Sequence, residues 1–194
     1  MASFAQWLQQ SVGEEVPQDV AGVLVDWQPA GEIAFDGSAV NVRDLWGVLD
    51  DYCGTTLDLP AGTYAVEGQG VEYGGHRRVA AVRVRLADRR PTAMREVGQV
   101  LIDSWGVAIG HIDVWHAALP ADAAKEFEES NRIGIYVETG CDVSRLDAGT
   151  STLPIARAFT GLGSGGYSVF ALLDERGLPV GVLVQFISKE DASG

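Results

Sequence analysis

The chain has little cysteine, little histidine and few cations, and each shortage excludes something. Cys53 and Cys141 are its only cysteines in 194 residues, far apart and in no CxxC pair. Neither a disulfide framework nor a zinc site is signalled, and each thiol reads as a buried core residue. No apolar run approaches the roughly eighteen residues of a membrane-spanning helix. The N-terminal Met-Ala-Ser-Phe-Ala-Gln-Trp also lacks a basic segment followed by a long apolar one, so a cytoplasmic location is expected. With 14 Lys and Arg against 27 Asp and Glu, the net charge is −13. Nucleic acid and anionic membrane are therefore poor partners, because both are repelled at long range. There is no GxSxG, HExxH or Walker A motif, so the residues call for no cofactor and no metal.

The few cations are concentrated. Residues 1–75 carry 12 acidic groups and the single Arg43, a balance of −11, whereas residues 76–95 carry seven arginines against Asp88, a balance of +6. Within that segment Arg78 to Leu86 alternates with period two. Val82, Val84 and Leu86 face one side of a strand and Ala81, Arg83 and Arg85 the other. Arg77, Arg78, Arg83 and Arg85 are thus a candidate patch for an anion or an acidic partner. The plainer alternative is that they pair with carboxylates on neighbouring strands.

The length suits one domain with one core, expected over residues 1–187 with a frayed polar tail at 188–194. The expected fold class is α+β, a predominantly antiparallel β-sheet with two or three packed helices. A capping-box pattern at Ser3-x-x-Gln6 starts a helix over 3–11. A second begins at Asn41, with Val42, Leu45, Trp46, Leu49 and Cys53 on one face. A third follows Leu119-Pro120-Ala121-Asp122 and runs to about Ser130. Strands are expected at 21–27 and 32–35, forming a first hairpin, then at 63–67 and on to Tyr73, 78–86, 97–109, 112–115 and 133–138. Residues 141–160 read as a helical turn near 143–147 followed by a Thr- and Ser-rich loop. The clearest element is a hairpin of Tyr167–Leu173 and Val180–Ile187. Its turn is Asp174-Glu175-Arg176-Gly177, with Gly177 where a type I turn plus G1 bulge needs positive φ.

Four constellations invite a chemical reading. Gly161-x-Gly163-x-x-Gly166 spells a dinucleotide fingerprint, but it leads into a strand instead of a helix, so a bend is the better reading. His111 and Asp113 share one strand face and are a candidate general base with its orienting carboxylate, whereas His116 faces the other way. Glu138, Cys141 and Asp142 flank Gly140 at a strand end, where functional loops are common. Trp46, Trp105 and Trp115 are candidate walls of a ligand pocket, although an aromatic at helical spacing is usually core.

Leu59-Pro60-Ala61-Gly62-Thr63-Tyr64-Ala65-Val66, Arg78-Val79-Ala80-Ala81-Val82-Arg83-Val84, Ile135-Tyr136-Val137-Glu138-Thr139-Gly140-Cys141, Gly165-Gly166-Tyr167-Ser168-Val169-Phe170 and Gly177-Leu178-Pro179-Val180-Gly181-Val182 follow one another in the chain. In that order, across residues 59–187, the chain resembles the bacterial domain-of-unknown-function family 4241. The resemblance implies a β-rich cytoplasmic domain and no established activity. Members carry Gly-Asp-Gly before the last hairpin's Tyr where this chain has Ser164-Gly165-Gly166, so no aspartate role is carried over.

The leading functional expectation is a non-catalytic acidic binding or interaction protein, with neutralisation of a protein partner as one form of it. One alternative is a small hydrolase or metal-assisted enzyme built on His111 and Asp113, or on Glu138 and Asp142. The other is a small-ligand-binding domain.

Overall fold

A computed structural model of the protein describes residues 23–45, 54–73, 76–102, 106–111, 141–148, 151–160 and 165–187. Among these residues there are twelve β-strands and no helix. The larger sheet runs β1 (Val23–Leu24), β5 (Gly62–Tyr73), β6 (His76–Leu86), β12 (Pro179–Gln185), β11 (Gly165–Leu173) and β7 (Ala93–Ile102). In it, β2 (Gln28–Phe35) pairs with the first half of β5, and β1 pairs with Val71 and Glu72 further along the same strand. The smaller sheet runs β4 (Thr55–Asp58), β3 (Ala39–Asp44), β8 (Gly106–His111), β10 (Ser151–Phe159) and β9 (Cys141–Ala148). Every pairing is antiparallel.

The strands form because their apolar side chains recur with period two, so that each sheet turns an apolar face to the other. Val82, Val84 and Leu86 of β6 are buried, as are Val180, Val182 and Val184 of β12 and Val40 and Val42 of β3. With Tyr64, Val66, Val107, Ile109, Val169 and Ala156 they form one core between the two sheets. A face-to-face pair of antiparallel sheets is the ordinary way to bury two apolar faces at once.

The sandwich is also drawn together at both edges. On one side the Thr55 hydroxyl of β4 donates to the Gln99 carbonyl of β7 at 2.9 Å. Beside it Gly98 has no room for a Cβ, which would stand 2.8 Å from Thr55 Oγ1. On the other side Gly31 of β2, at φ +146°, sits against Val143 of β9, where a Cβ would come within 2.9 Å of Cγ2. Glycine thus permits the close approach of strands belonging to different sheets at both seams.

The α+β expectation is overturned, since the described residues form two antiparallel sheets. The helix expected from Asn41 is, over its first residues, strand β3. Val40 and Val42 alternate with Asn41 and Arg43, and pairing with both β4 and β8 satisfies the backbone from two sides. The short run Val42 to Leu45 fits period two as well as 3.6, and the sheet partners decide between them. Residues 141–160 hold the β9–β10 hairpin where a helical turn and a loop were expected. Pro154 is tolerated in β10 because pairing with β8 begins only at Ile155. The two strands expected to form a first hairpin do not pair with each other; β1 and β2 both add to β5.

The helices expected at 3–11 and 119–130, the strands at 112–115 and 133–138 and the tail at 188–194 lie outside the described residues. No helix among the described residues is long and apolar enough to cross a membrane. The last hairpin is as expected. Gly177 has φ +75°, its N–H donates to Asp174 O at 2.9 Å, and β11 pairs with β12.

The seam at Gly31 makes a direct prediction. Gly31→Ala forces a Cβ both into Val143 and onto a strained backbone, so urea unfolding should show a loss of about 1–3 kcal/mol. An unchanged midpoint would mean that the β2–β9 seam does not constrain the fold.

Candidate functional site

The arginines singled out in the sequence stand where period two puts them, and the sheet supplies a partner for two of them. Arg83 and Arg85 project from the outer face of β6, and Glu67 on β5 lies directly opposite Arg83. Glu67 Oε2 accepts from Arg83 Nε at 2.6 Å and from Arg85 Nε at 2.8 Å, while Oε1 accepts from Arg85 Nη2 at 3.0 Å. Trp27 stacks on Arg83, with the guanidinium carbon 4.0 Å from the ring centroid. Burial alone would favour a neutral Glu67. Hydrogen bonds from Arg85 and Arg83 outweigh it, and the carboxyl is held below its ordinary range. Arg77 lies opposite Glu72 and Arg78 opposite Val71 in the same pairing.

Of the four polar candidates, His111 and Asp142 lie among the described residues. His111 shares the inner face of β8 with Val107 and Ile109, and its Nε2 lies 3.2 Å from Asp36 Oδ1 in the loop after β2. Asp36 Oδ1 also accepts from the Ser38 hydroxyl and, at 3.1 Å, from the Ser38 N–H. These Ser38 bonds, the hydroxyl's first, lower the Asp36 pKa. The order is Ser–Asp–His, with the carboxylate in the middle. A nucleophilic triad instead needs the imidazole between hydroxyl and carboxylate. Asp142 faces the other way, opposite Arg157 of β10, and holds its guanidinium by a two-pronged pair at 2.8 and 2.5 Å. Cys141 is buried, and burial pushes its thiol up to about 12, far from the thiolate that a nucleophile needs. Asp113, Glu138, Trp46, Trp105 and Trp115 lie outside the described residues. Among the described residues no group of three His, Cys, Asp or Glu is placed to hold a metal.

A different set of residues converges at the turn end of the larger sheet. There the approach to β5 (Pro60 to Thr63), the connection after β6 (Leu86 to Arg89) and the β11–β12 turn (Arg176, Leu178, Pro179) enclose a cleft of about 610 Å³. That volume is in the range of small-molecule sites, roughly 300–1,000 Å³. Its walls are apolar at Pro60, Ala61, Leu86, Leu178 and Pro179, and its charged members are Asp88, Arg89 and Arg176. Beside it Tyr64, fully buried and tilted against Phe35, donates its hydroxyl to Pro60 O at 2.6 Å and so fixes one wall. Burial raises the Tyr64 phenol to about 12, Arg89 opposing and Asp88 adding to the shift.

The cleft is held by a single carboxylate. Asp174 is 8% exposed at its side chain. Its Oδ1 accepts the backbone N–H groups of Arg176 and Leu178 at 2.9 and 3.0 Å, which closes the hairpin turn. Its Oδ2 accepts from Arg89 Nη1 at 3.2 Å and from Arg176 Nε and Nη2 at 3.3 and 3.2 Å. Because β11 and β12 are inserted between β6 and β7, the β6–β7 connection must cross this turn. The Arg89–Asp174 pair, with Thr92 N–H donating to Leu173 O at 2.8 Å, pins the crossing segment down.

Arg89 and Arg176 were not among the sequence candidates. The only signal available was Arg89 in the basic segment and Arg176 inside a turn, 87 positions further on. No protein-family model matches the chain, and neither a curated protein nor a solved structure matches it.

The Asp174 carboxyl is lowered from 3.8, first by the Leu178 N–H and then by Arg176. A depressed native pKa stabilises the fold above the unfolded value and loses that contribution as pH falls through the native one. Asp174→Asn keeps an acceptor for the turn amides but loses the charge that holds both guanidinium groups. Its urea midpoint should lie below wild type at pH 7, and the gap should close as the pH drops below 3.8. A gap that persists at the lowest pH would assign Asp174 a role independent of its charge.

Proposed function

We propose that the protein is a non-catalytic binding protein whose working site is the cleft between the β5 approach, the β6–β7 crossing and the β11–β12 turn. The observation that carries this reading is a half-open apolar cleft of about 610 Å³ with polar groups confined to a few positions, the usual form of a small-ligand site. Supporting it, the acid–base candidates among the described residues are engaged in other ways. Asp142 neutralises Arg157, Asp36 stands between Ser38 and His111, and Cys141 is held protonated. A cytoplasmic location, and membership of the uncharacterised family the chain resembles, belong to the same proposal and assign no activity.

Ligand-observed NMR against a library of small fragments tests it. Hits should bind the wild-type protein and be lost in Leu178→Glu, which places a charge on an apolar wall that is half exposed in the folded protein. Hits that survive the substitution, or a library that yields none, would count against the cleft as the working site.

The charge of −13 favours a second reading, a basic protein partner. With Arg83 and Arg85 both held by Glu67, much of the acid elsewhere, including Asp26, Glu32, Asp58, Glu72 and Glu96, stays exposed. Such a partner should be retained from a lysate at low salt and released as ionic strength rises. A retention that salt leaves unchanged would argue against an electrostatic partner.

A further inference from the structure

We propose that the cleft takes a monocarboxylate with an apolar body, its carboxylate held by Arg89 and Arg176. This deepens the reading above and rests on the cleft being the working site. Each guanidinium carries five N–H donors. Asp174 receives one from Arg89 and two from Arg176, which leaves four on the first and three on the second for whatever enters the cleft both residues line. Asp174 is the reason the two groups can sit together. Two cations side by side repel, and a buried carboxylate between them offsets that repulsion while fixing both side chains in place. The side chains of Arg89 and Arg176 are 43% and 60% exposed, so solvent or a ligand reaches them.

The charge count selects the ligand. Arg89 and Arg176 are balanced by Asp174 behind them and Asp88 on the cleft wall, so the site as a whole is close to neutral in a protein of charge −13. A phosphate dianion meets the field of the acidic protein with twice the repulsion of a carboxylate and gains no further cation in return. A planar carboxylate matches the two-pronged donor geometry of a guanidinium. The apolar walls at Pro60, Leu86 and Leu178 then receive the rest of the molecule, which a bare inorganic anion lacks.

The test is a titration of the uniformly ¹⁵N-labelled full chain followed through its backbone amides and arginine Nε–H signals. Hexanoate, the neutral hexanamide and inorganic phosphate serve as probes. Hexanoate should give saturable shifts at Ala61, Ala87, Leu178 and the Nε–H of Arg89 and Arg176. Hexanamide and phosphate should each bind at least about tenfold more weakly, the scale of one hydrogen bond to a charged group. Arg89→Ala and Arg176→Ala should each weaken hexanoate by about tenfold as well, with the dispersion of the spectrum showing that each variant is folded. Equal binding of hexanamide at these residues would overturn the carboxylate assignment and leave the cleft as a ligand site. Phosphate binding as tightly as hexanoate would overturn the choice of monoanion in the same way. An absence of cleft shifts with hexanoate and hexanamide alike would overturn both the assignment and the site.

Discussion

The carboxylate of Asp174 is the point on which the upper end of this fold depends. It lies in the turn of the β11–β12 hairpin, and that hairpin stands between β6 and β7 in the larger sheet. The chain leaving β6 must therefore pass over the hairpin's turn to reach its place beside β11. Such a crossing brings backbone and charged side chains over one another, and something must hold them there. Asp174 accepts two turn amides on one oxygen and two guanidinium groups on the other. It thus ties the turn to itself and the crossing segment to the turn. The cleft is the space left beside that knot, walled on its far side by the Pro60 segment that Tyr64 anchors.

The paired arginines described above fall into two settings, and neighbouring geometry decides which. On β6, Arg83 and Arg85 are two residues apart on one sheet face, and Glu67 opposite them is close enough to pair with both. Arg157 finds Asp142 in register across the β9–β10 pair. In both cases a regular ladder places a carboxylate in reach, and opposite charges on facing strands settle into a fixed pair. Arg89 and Arg176 lie off the ladders, in a crossing and a turn. Their shared carboxylate takes one donor of Arg89 and two of Arg176, and both residues line the cleft. Loops carried on a rigid sheet are the usual place for such groups.

The closed seams have a related logic. An open sandwich presents unpaired strand edges, and here edges of the two sheets are drawn together, β4 to β7 by Thr55 and β2 to β9 at Gly31. The turn end is thereby carried on a frame whose two sheets are joined at both sides.

Local physics was legible in the sequence. Period two in Arg78 to Leu86 placed valines inward and arginines outward, and Asp-Glu-Arg-Gly between two apolar runs specified the last hairpin and the positive φ of Gly177. These features depend only on residues near one another in the chain. The sequence was ambiguous where a short apolar run fits two periods, as in β3, and where Pro154 and its Ser and Thr neighbours imitate a loop in what is strand β10. It was silent on partners. Nothing in the order of residues pairs Asp36 with His111, Glu67 with two arginines or Arg89 with Asp174, 85 residues away. Composition and alternation by themselves determined that this is an acidic, strand-rich chain with its arginines on strand faces and in turns. Only the tertiary structure decided which of them pair across a ladder and which line a cleft, because that depends on strand order, and strand order is set by burial of the whole core.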